Sequence, residues 1–178
     1  MPVKSHQTTR KKPAETRRIH LKVNHQDVSL EVGSALGQID AAQTLAQTLR
    51  ETLGLTGNKV SCDHGACGAC TVLIDGEPRL SCLTLTVECD GRAITTIEGL
   101  AGPRDGALDP LQQAFIDHNA FQCGFCTPGL ILSARALLDG NPSPTEDQVK
   151  EALSGNFCRC ISHYQVVQAV LSVSAQER

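Results

Sequence analysis

Residues 61–70 read SCDHGACGAC, with thiols at Cys62, Cys67 and Cys70 and a fourth following at Cys82. Gaps of four residues and then two between the first three cysteines match a loop wrapped around a plant-type iron–sulfur cluster. Thiolates suit soft iron sites, and each iron of a two-iron cluster takes two of them from the protein. Gly65 and Gly68 can take the positive φ that a chain folding around a cluster demands. Turned inward, the loop amides would hydrogen-bond the sulfurs and stabilise their negative charge. Cys82 departs from the ferredoxin pattern by following Cys70 after only eleven residues.

The flanking sequence reads as strands around one helix. Residues 19–32 place Ile19, Leu21 and Val23 in one alternating run and Val28, Leu30 and Val32 in another. The interruption at 24–27 predicts a β-hairpin with a four-residue turn. Residues 33–39 read as a connector. Leu45, Leu49 and Leu53 recur at helical spacing, predicting a helix over 41–53 that is stopped by Gly54 and Gly57. Strands are expected at 71–74, at 80–87 carrying Cys82, and near 94–97, with a turn at 75–78 between the first two. Together these make a β-grasp, ferredoxin-like domain over 19–98.

Beyond residue 98 the character changes. Residues 99–110, GLAGPRDGALDP, read as a linker. Helices follow. Asp109-Pro110 is an N-cap with proline at the first helical position, opening a helix to about 119. Thr127-Pro128 and Ser143-Pro144 repeat the device, the second with Glu146 and Asp147 placed to suit the helix dipole. The helix opened at Thr127 is expected to run to 138, and a last helix to cover about 164–173. The fold class is therefore α+β, with a four-helix domain over 111–178 after the ferredoxin-like one.

A second thiol set lies between those helices: Cys123 and Cys126 in FQCGFCTPG, and Cys158 and Cys160 in NFCRC. Its four thiols could converge from two loops, and Cys126, beside a helix N-terminus, is expected to favour thiolate. Paired CxxC motifs by themselves point to structural zinc. Against zinc, Cys158-x-Cys160 departs from the usual spacing of such sites. The first set has the iron–sulfur spacing, and there are two complete sets of four. A thioredoxin-like role suits neither CxxC, since each has further cysteines nearby and no βαβ setting.

Composition narrows the remaining classes. The 178 residues carry a net charge of −3 and only 3% aromatics, which argues against a base-stacking nucleic-acid platform. Nine cysteines, an odd count, do not suit a small secreted disulfide scaffold. No apolar run approaches the ~18–20 residues of a membrane span. Six of residues 1–18 are basic and one acidic, read as a disordered tail. Arg17-Arg18 lacks the apolar run that would make it an export signal. Metal-bound thiolates in a reducing cytoplasm are the expectation.

The motifs CDHGACGACTVLIDG, Ser81-Cys82, QCGFCTPG and GNFCRC carry a resemblance over residues 19–172. The sequence resembles the small iron–sulfur subunit of the molybdenum hydroxylases, the xanthine dehydrogenase, aldehyde oxidoreductase and carbon monoxide dehydrogenase family. The resemblance implies one [2Fe–2S] cluster on Cys62, Cys67, Cys70 and Cys82 and a second on Cys123, Cys126, Cys158 and Cys160. It also implies a large molybdopterin-binding subunit, a medium FAD-binding subunit and an assembly able to pair as a dimer of heterotrimers. Electrons would pass from the molybdopterin centre to the helical-domain cluster, then to the other cluster, then to FAD. Gln122 matches a residue that hydrogen-bonds the pterin, and Cys160 one that lies beside the pterin amino group. No residue of the chain would act chemically on substrate. A structural zinc module and a free-standing ferredoxin are the competing readings.

The family's Thr-Gly-Tyr after the CxC is replaced here by Ile161-Ser162-His163-Tyr164. That segment reads as a helix cap at Ser162 with His163 exposed, rather than a relay. Cys89 reads as an inert residue at a strand end, since nothing nearby depresses its pKa. His64 reads as an exposed loop position rather than a Rieske-type ligand. Arg159, between two expected ligands, either tunes the site electrostatically or forms a surface ion pair.

Overall fold

The computed structural model describes residues 17–101 and 107–176, so most of the basic segment lies outside the described residues. Arg17 and Arg18 do not belong to a tail. They open strand β1 (Arg17–Val23), ion-paired to Asp90 at 3.3 Å and to Glu31 at 2.6 Å. Both pairs are exposed and worth little individually.

β1 pairs antiparallel with β2 (Gln26–Val32) through a turn of two residues, not four. Asn24 and His25 both take positive φ, 48° and 69°, the requirement of a tight hairpin whose twist matches its strands. Asn24 tolerates this and is held there by the Thr96 amide, which donates to its Oδ1 at 2.8 Å. The same shortening occurs between β3 (Thr71–Ile74) and β4 (Glu77–Leu80), where the turn is Asp75-Gly76 alone. Pro78 therefore sits opposite Leu73 on an edge strand, where its missing N–H is tolerated. With β5 (Ala93–Thr95) the sheet order is β2-β1-β5-β3-β4, with β1 and β5 parallel and the other pairs antiparallel.

The expected helix over 41–53 is shorter and begins later. Helix α1 (Leu45–Gln47) is capped by Thr44, in a capping box with Gln47, and widens into a π-helical turn over Thr48–Thr52. Thr44 bridges to Leu85, and the Gln43 carbonyl accepts from the Thr86 amide at 3.0 Å. These long-range bonds hold the start of the segment out of the helix. Leu45 and Leu49 are buried against Ile19, Leu21, Val72 and Ile94 as the core of this half.

A strand over 80–87 does not form. β4 ends at Leu80, and Ser81 turns the chain, its hydroxyl donating to the Cys70 carbonyl at 2.7 Å and accepting from Asn58 at 3.0 Å. A 3₁₀ turn occupies Thr86–Cys89 and another Ile97–Gly99, so β5 is also shifted from its expected place.

The second half is helical. α2 (Pro110–Asp117) has the expected Asp109 cap, with Gln112 completing a capping box, and ends two residues short of 119. α3 (Thr127–Gly140) has Cys126, not Thr127, in the cap position and no side-chain cap. α4 (Glu146–Leu153) is capped by Thr145 with Gln148 rather than by Ser143. Both Ser143, with Glu146, and Thr145, with Gln148, have the capping-box spacing; Ser143 instead lies in the turn before the helix, its amide donating to Asn141 Oδ1 at 3.1 Å. α5 (His163–Gln176) is longer than expected, and Ser162 accepts from the Tyr164 amide at 3.3 Å, the expected cap. Leu111, Phe115, Leu130, Val149, Leu153, Val166 and Val170 form the helical core. α3 packs across β3 and β4, so the two cores share a seam.

Candidate metal centres

The 61–70 loop wraps with positive φ at Asp63, Gly65 and Gly68 (55°, 81° and 70°). This curvature turns amides toward sulfur: the Ala66 N–H donates to Cys62 Sγ at 3.3 Å. The His64 amide and the Cys67 thiol hold the Cys62 thiol down to about 6. Cys70 and Cys82 lie together in a small buried cluster with Ala46. Burial foremost, and then the Cys70 thiol beside it, push Cys82 up to about 12, while the Gly65 amide favours its thiolate. Loss of the proton there needs a cation, which a metal supplies. The break after β4 has a purpose: it swings Cys82 back onto Cys70.

The second set is more open. Cys123 and Cys160 are exposed with their sulfurs 3.5 Å apart, and Cys126 and Cys158 form the half-buried pair beneath. The dipole expectation for Cys126 fails, because burial and then the Cys158 thiol push it up to about 12. Burial also works against the Cys158 thiolate, but the Cys126 thiol and the Ile161 and Cys160 amides outweigh it and hold that thiol below its usual range. A cavity of about 240 Å³ opens among all four sulfurs, with Cys67 and Phe157 also on its wall.

The eight thiols thus come together as four pairs: Cys62 with Cys67, Cys70 with Cys82, Cys126 with Cys158, and Cys123 with Cys160. Two thiolates per iron is the donor arrangement of a [2Fe–2S] cluster, and the residues fit that group at both places. All nine cysteines are free.

His64 is exposed and its ring contacts the Cys62 carbonyl. Arg159 is exposed and, among the described residues, has no ion pair. Gln122 is exposed beside Cys123. Phe121, Phe125, Phe157 and Tyr164 are all well exposed, four of the five aromatics in the chain, and Phe125 and Phe157 line the cavity with Cys123 and Cys160.

Cys89 is 1% exposed in the sheet core, and burial foremost pushes its thiol up to about 11. In the native protein at pH 8 it is expected to escape iodoacetamide, and to react only after unfolding. Peptide mass spectrometry reads the result; labelling of native protein at Cys89 would contradict it.

A seam that sequence inspection passes over joins the two sets. The Phe157 amide donates to the Cys67 carbonyl at 2.9 Å, and buried Asn156 donates through Nδ2 to the Gly68 carbonyl at 3.0 Å. No local pattern signals a contact between residues 88 apart in sequence.

Two families match the chain: residues 6–115 match a 2Fe-2S iron-sulfur cluster binding domain, and residues 96–171 a [2Fe-2S] binding domain. The nicotine 6-hydroxylase small subunit of Paenarthrobacter nicotinovorans is 55% identical over 138 residues, spanning 78% of this chain and 82% of that protein. Among solved structures, quinoline 2-oxidoreductase from Pseudomonas putida 86 superposes with a TM-score of 0.82 at 40% identity, covering 92% of this chain and 96% of that one. Aldehyde oxidoreductase from Desulfovibrio gigas gives 0.80 at 40% identity, with 89% of this chain matching 17% of a longer one. Similarity at this level extends over both halves, and with it the chain belongs to the family of small iron–sulfur subunits of the molybdenum hydroxylases, carrying two [2Fe–2S] clusters and no substrate chemistry of its own.

Proposed function

We propose that the chain carries electrons between a molybdopterin centre on a large partner subunit and FAD on a medium one. Cys62, Cys67, Cys70 and Cys82 hold the cluster of a β-grasp, plant-type ferredoxin-like domain, expected over 19–98 and opened by β1 at Arg17. Cys123, Cys126, Cys158 and Cys160 hold that of a four-helix domain (111–178), reached through a linker at 99–110. The observation that carries this reading is the pairing of all eight thiols in two sets of four that adjoin at one seam.

The protein's part is positional and electrostatic. Amides directed at the sulfurs stabilise their charge and tune the potentials. The exposed aromatics beside Cys123 and Cys160 suit a surface covered by a partner, since aromatic side chains are enriched at such interfaces. That surface faces the molybdopterin subunit, which puts the helical-domain cluster first in the electron path and the ferredoxin-like one second, before FAD. No helix among the described residues is long and apolar enough to cross a membrane.

Iron and acid-labile sulfide per chain, with low-temperature EPR after dithionite reduction, test the reading. Four irons, four sulfides and two distinct signals are expected from two two-iron clusters. Zinc in place of iron, or a lone 19.0 kDa species with full activity, would overturn it. Gln122→Ala is expected to keep both clusters but lose turnover or pterin occupancy. Wild-type values for both would remove Gln122 from the pterin contact.

A further inference from the structure

The seam between the two cysteine sets is unusually close. A Cβ on Gly68 would lie 2.4 Å from the Gly155 carbonyl, and a Cβ on Gly129 would lie 2.3 Å from the Gly68 carbonyl. The first loop is therefore held between the opening turn of α3 and the segment after α4. Each side of that clamp leads directly to a ligand: Gly129 is three residues past Cys126, and Asn156 two before Cys158. At its centre is Asn156, 5% exposed, whose Nδ2 donates to the Gly68 carbonyl. One residue on, the Phe157 amide donates to the carbonyl of Cys67. A single hydrogen bond thus connects a ligand of the first site to the residue preceding a ligand of the second. Cys67 also lies on the wall of the second cavity.

We infer that Asn156 is a positioning residue for electron exchange between the two sites: its bond to Gly68 fixes the Phe157–Cys67 hydrogen bond, and with it the separation and coupling of the two cysteine sets. The inference rests on the electron-transfer reading above. The step it serves is a one-electron exchange, one site oxidised as the other is reduced, with no bond broken and no proton moved. The side chain of Asn156 bonds a backbone carbonyl rather than a thiol, so its effect is on coupling and not on ligation.

The discriminating pair of variants is Asn156→Asp, which keeps the size but replaces the donor with a carboxylate, and Asn156→Ser, whose hydroxyl can still donate. Each is purified within the complete complex, assayed for iron and sulfide, reduced with dithionite and examined by EPR. Two paramagnetic centres held close together split or broaden each other's signals, and that mutual effect reports their separation. Asn156→Asp is expected to retain full iron and both signals but lose the splitting, while Asn156→Ser retains it. Wild-type splitting in Asn156→Asp would overturn the inference. So would loss of iron in both variants, which would make Asn156 a structural residue only. Failure of the wild-type protein to give two iron–sulfur signals would instead defeat the electron-transfer reading itself.

Discussion

Replacing Cys82 with alanine is expected to halve the iron of the protein, from four per chain to two, and to remove one of its two EPR signals. Cys82 is 5% exposed and shares a small core with Cys70 and Ala46. No other cysteine is available to replace it: the remaining unassigned thiol, Cys89, is buried on the sheet core with its sulfur directed to the Leu85 carbonyl. Removing one thiolate leaves an iron with an incomplete donor set, and a two-iron cluster needs all four. The second site is expected to survive, because Cys123, Cys126, Cys158 and Cys160 are positioned by α3 and by the turns before α3 and α5. Metal analysis and EPR read the outcome directly. Full iron content in the variant would show that Cys82 is not a ligand.

The second large effect is expected from Gly68→Ala. The new methyl would meet the Gly155 carbonyl at 2.4 Å and Asn156 Nδ2 at 2.6 Å, on a backbone with φ of 70°. Overpacking and a left-handed alanine together cost on the order of 3 kcal/mol. A chain of this length should then lose about 6–12 °C in thermal midpoint. Gly76→Ala is the control. Its φ is 85° but nothing lies within 4 Å, so only the backbone cost of about 1 kcal/mol remains. Equal shifts in the two variants, measured by thermal unfolding of the iron-loaded protein, would show that the seam at Gly68 is not tight.

Much of the site was legible because metal ligation imposes local spacing. Within the 62–70 loop and within each of the 123–126 and 158–160 motifs the thiols are close in sequence, while Cys82 and the 158–160 motif reach their partners from elsewhere, and glycines mark the curvature of the first loop. Helix starts were legible where the chemistry is local, as at Asp109-Pro110 and Ser162. They were misread where two candidates compete: Ser143 and Thr145 both have the capping-box spacing, and the turn in which Asn141 bonds the Ser143 amide and Gln148 leaves Thr145 as the cap. Hairpin turns were read too long because Gln26, Asp27, Glu77 and Pro78 are poor strand formers by composition. Register with β1 and β3 recruits them nonetheless.

The sequence by itself determined the two sets of four cysteines, the β-then-α order of the halves and the family. Only the tertiary structure decided how Cys82 reaches Cys70, since that depends on Ser81 and Asn58 ending a strand that hydropathy would continue. Only it decided that burial outweighs the helix dipole at Cys126, because desolvation depends on what packs around a thiol and not on its neighbours in the chain. It also decided that the two sites meet through Gly68, Gly129 and Asn156. Close backbone approach needs small residues from distant segments to coincide in space, and no single segment records that.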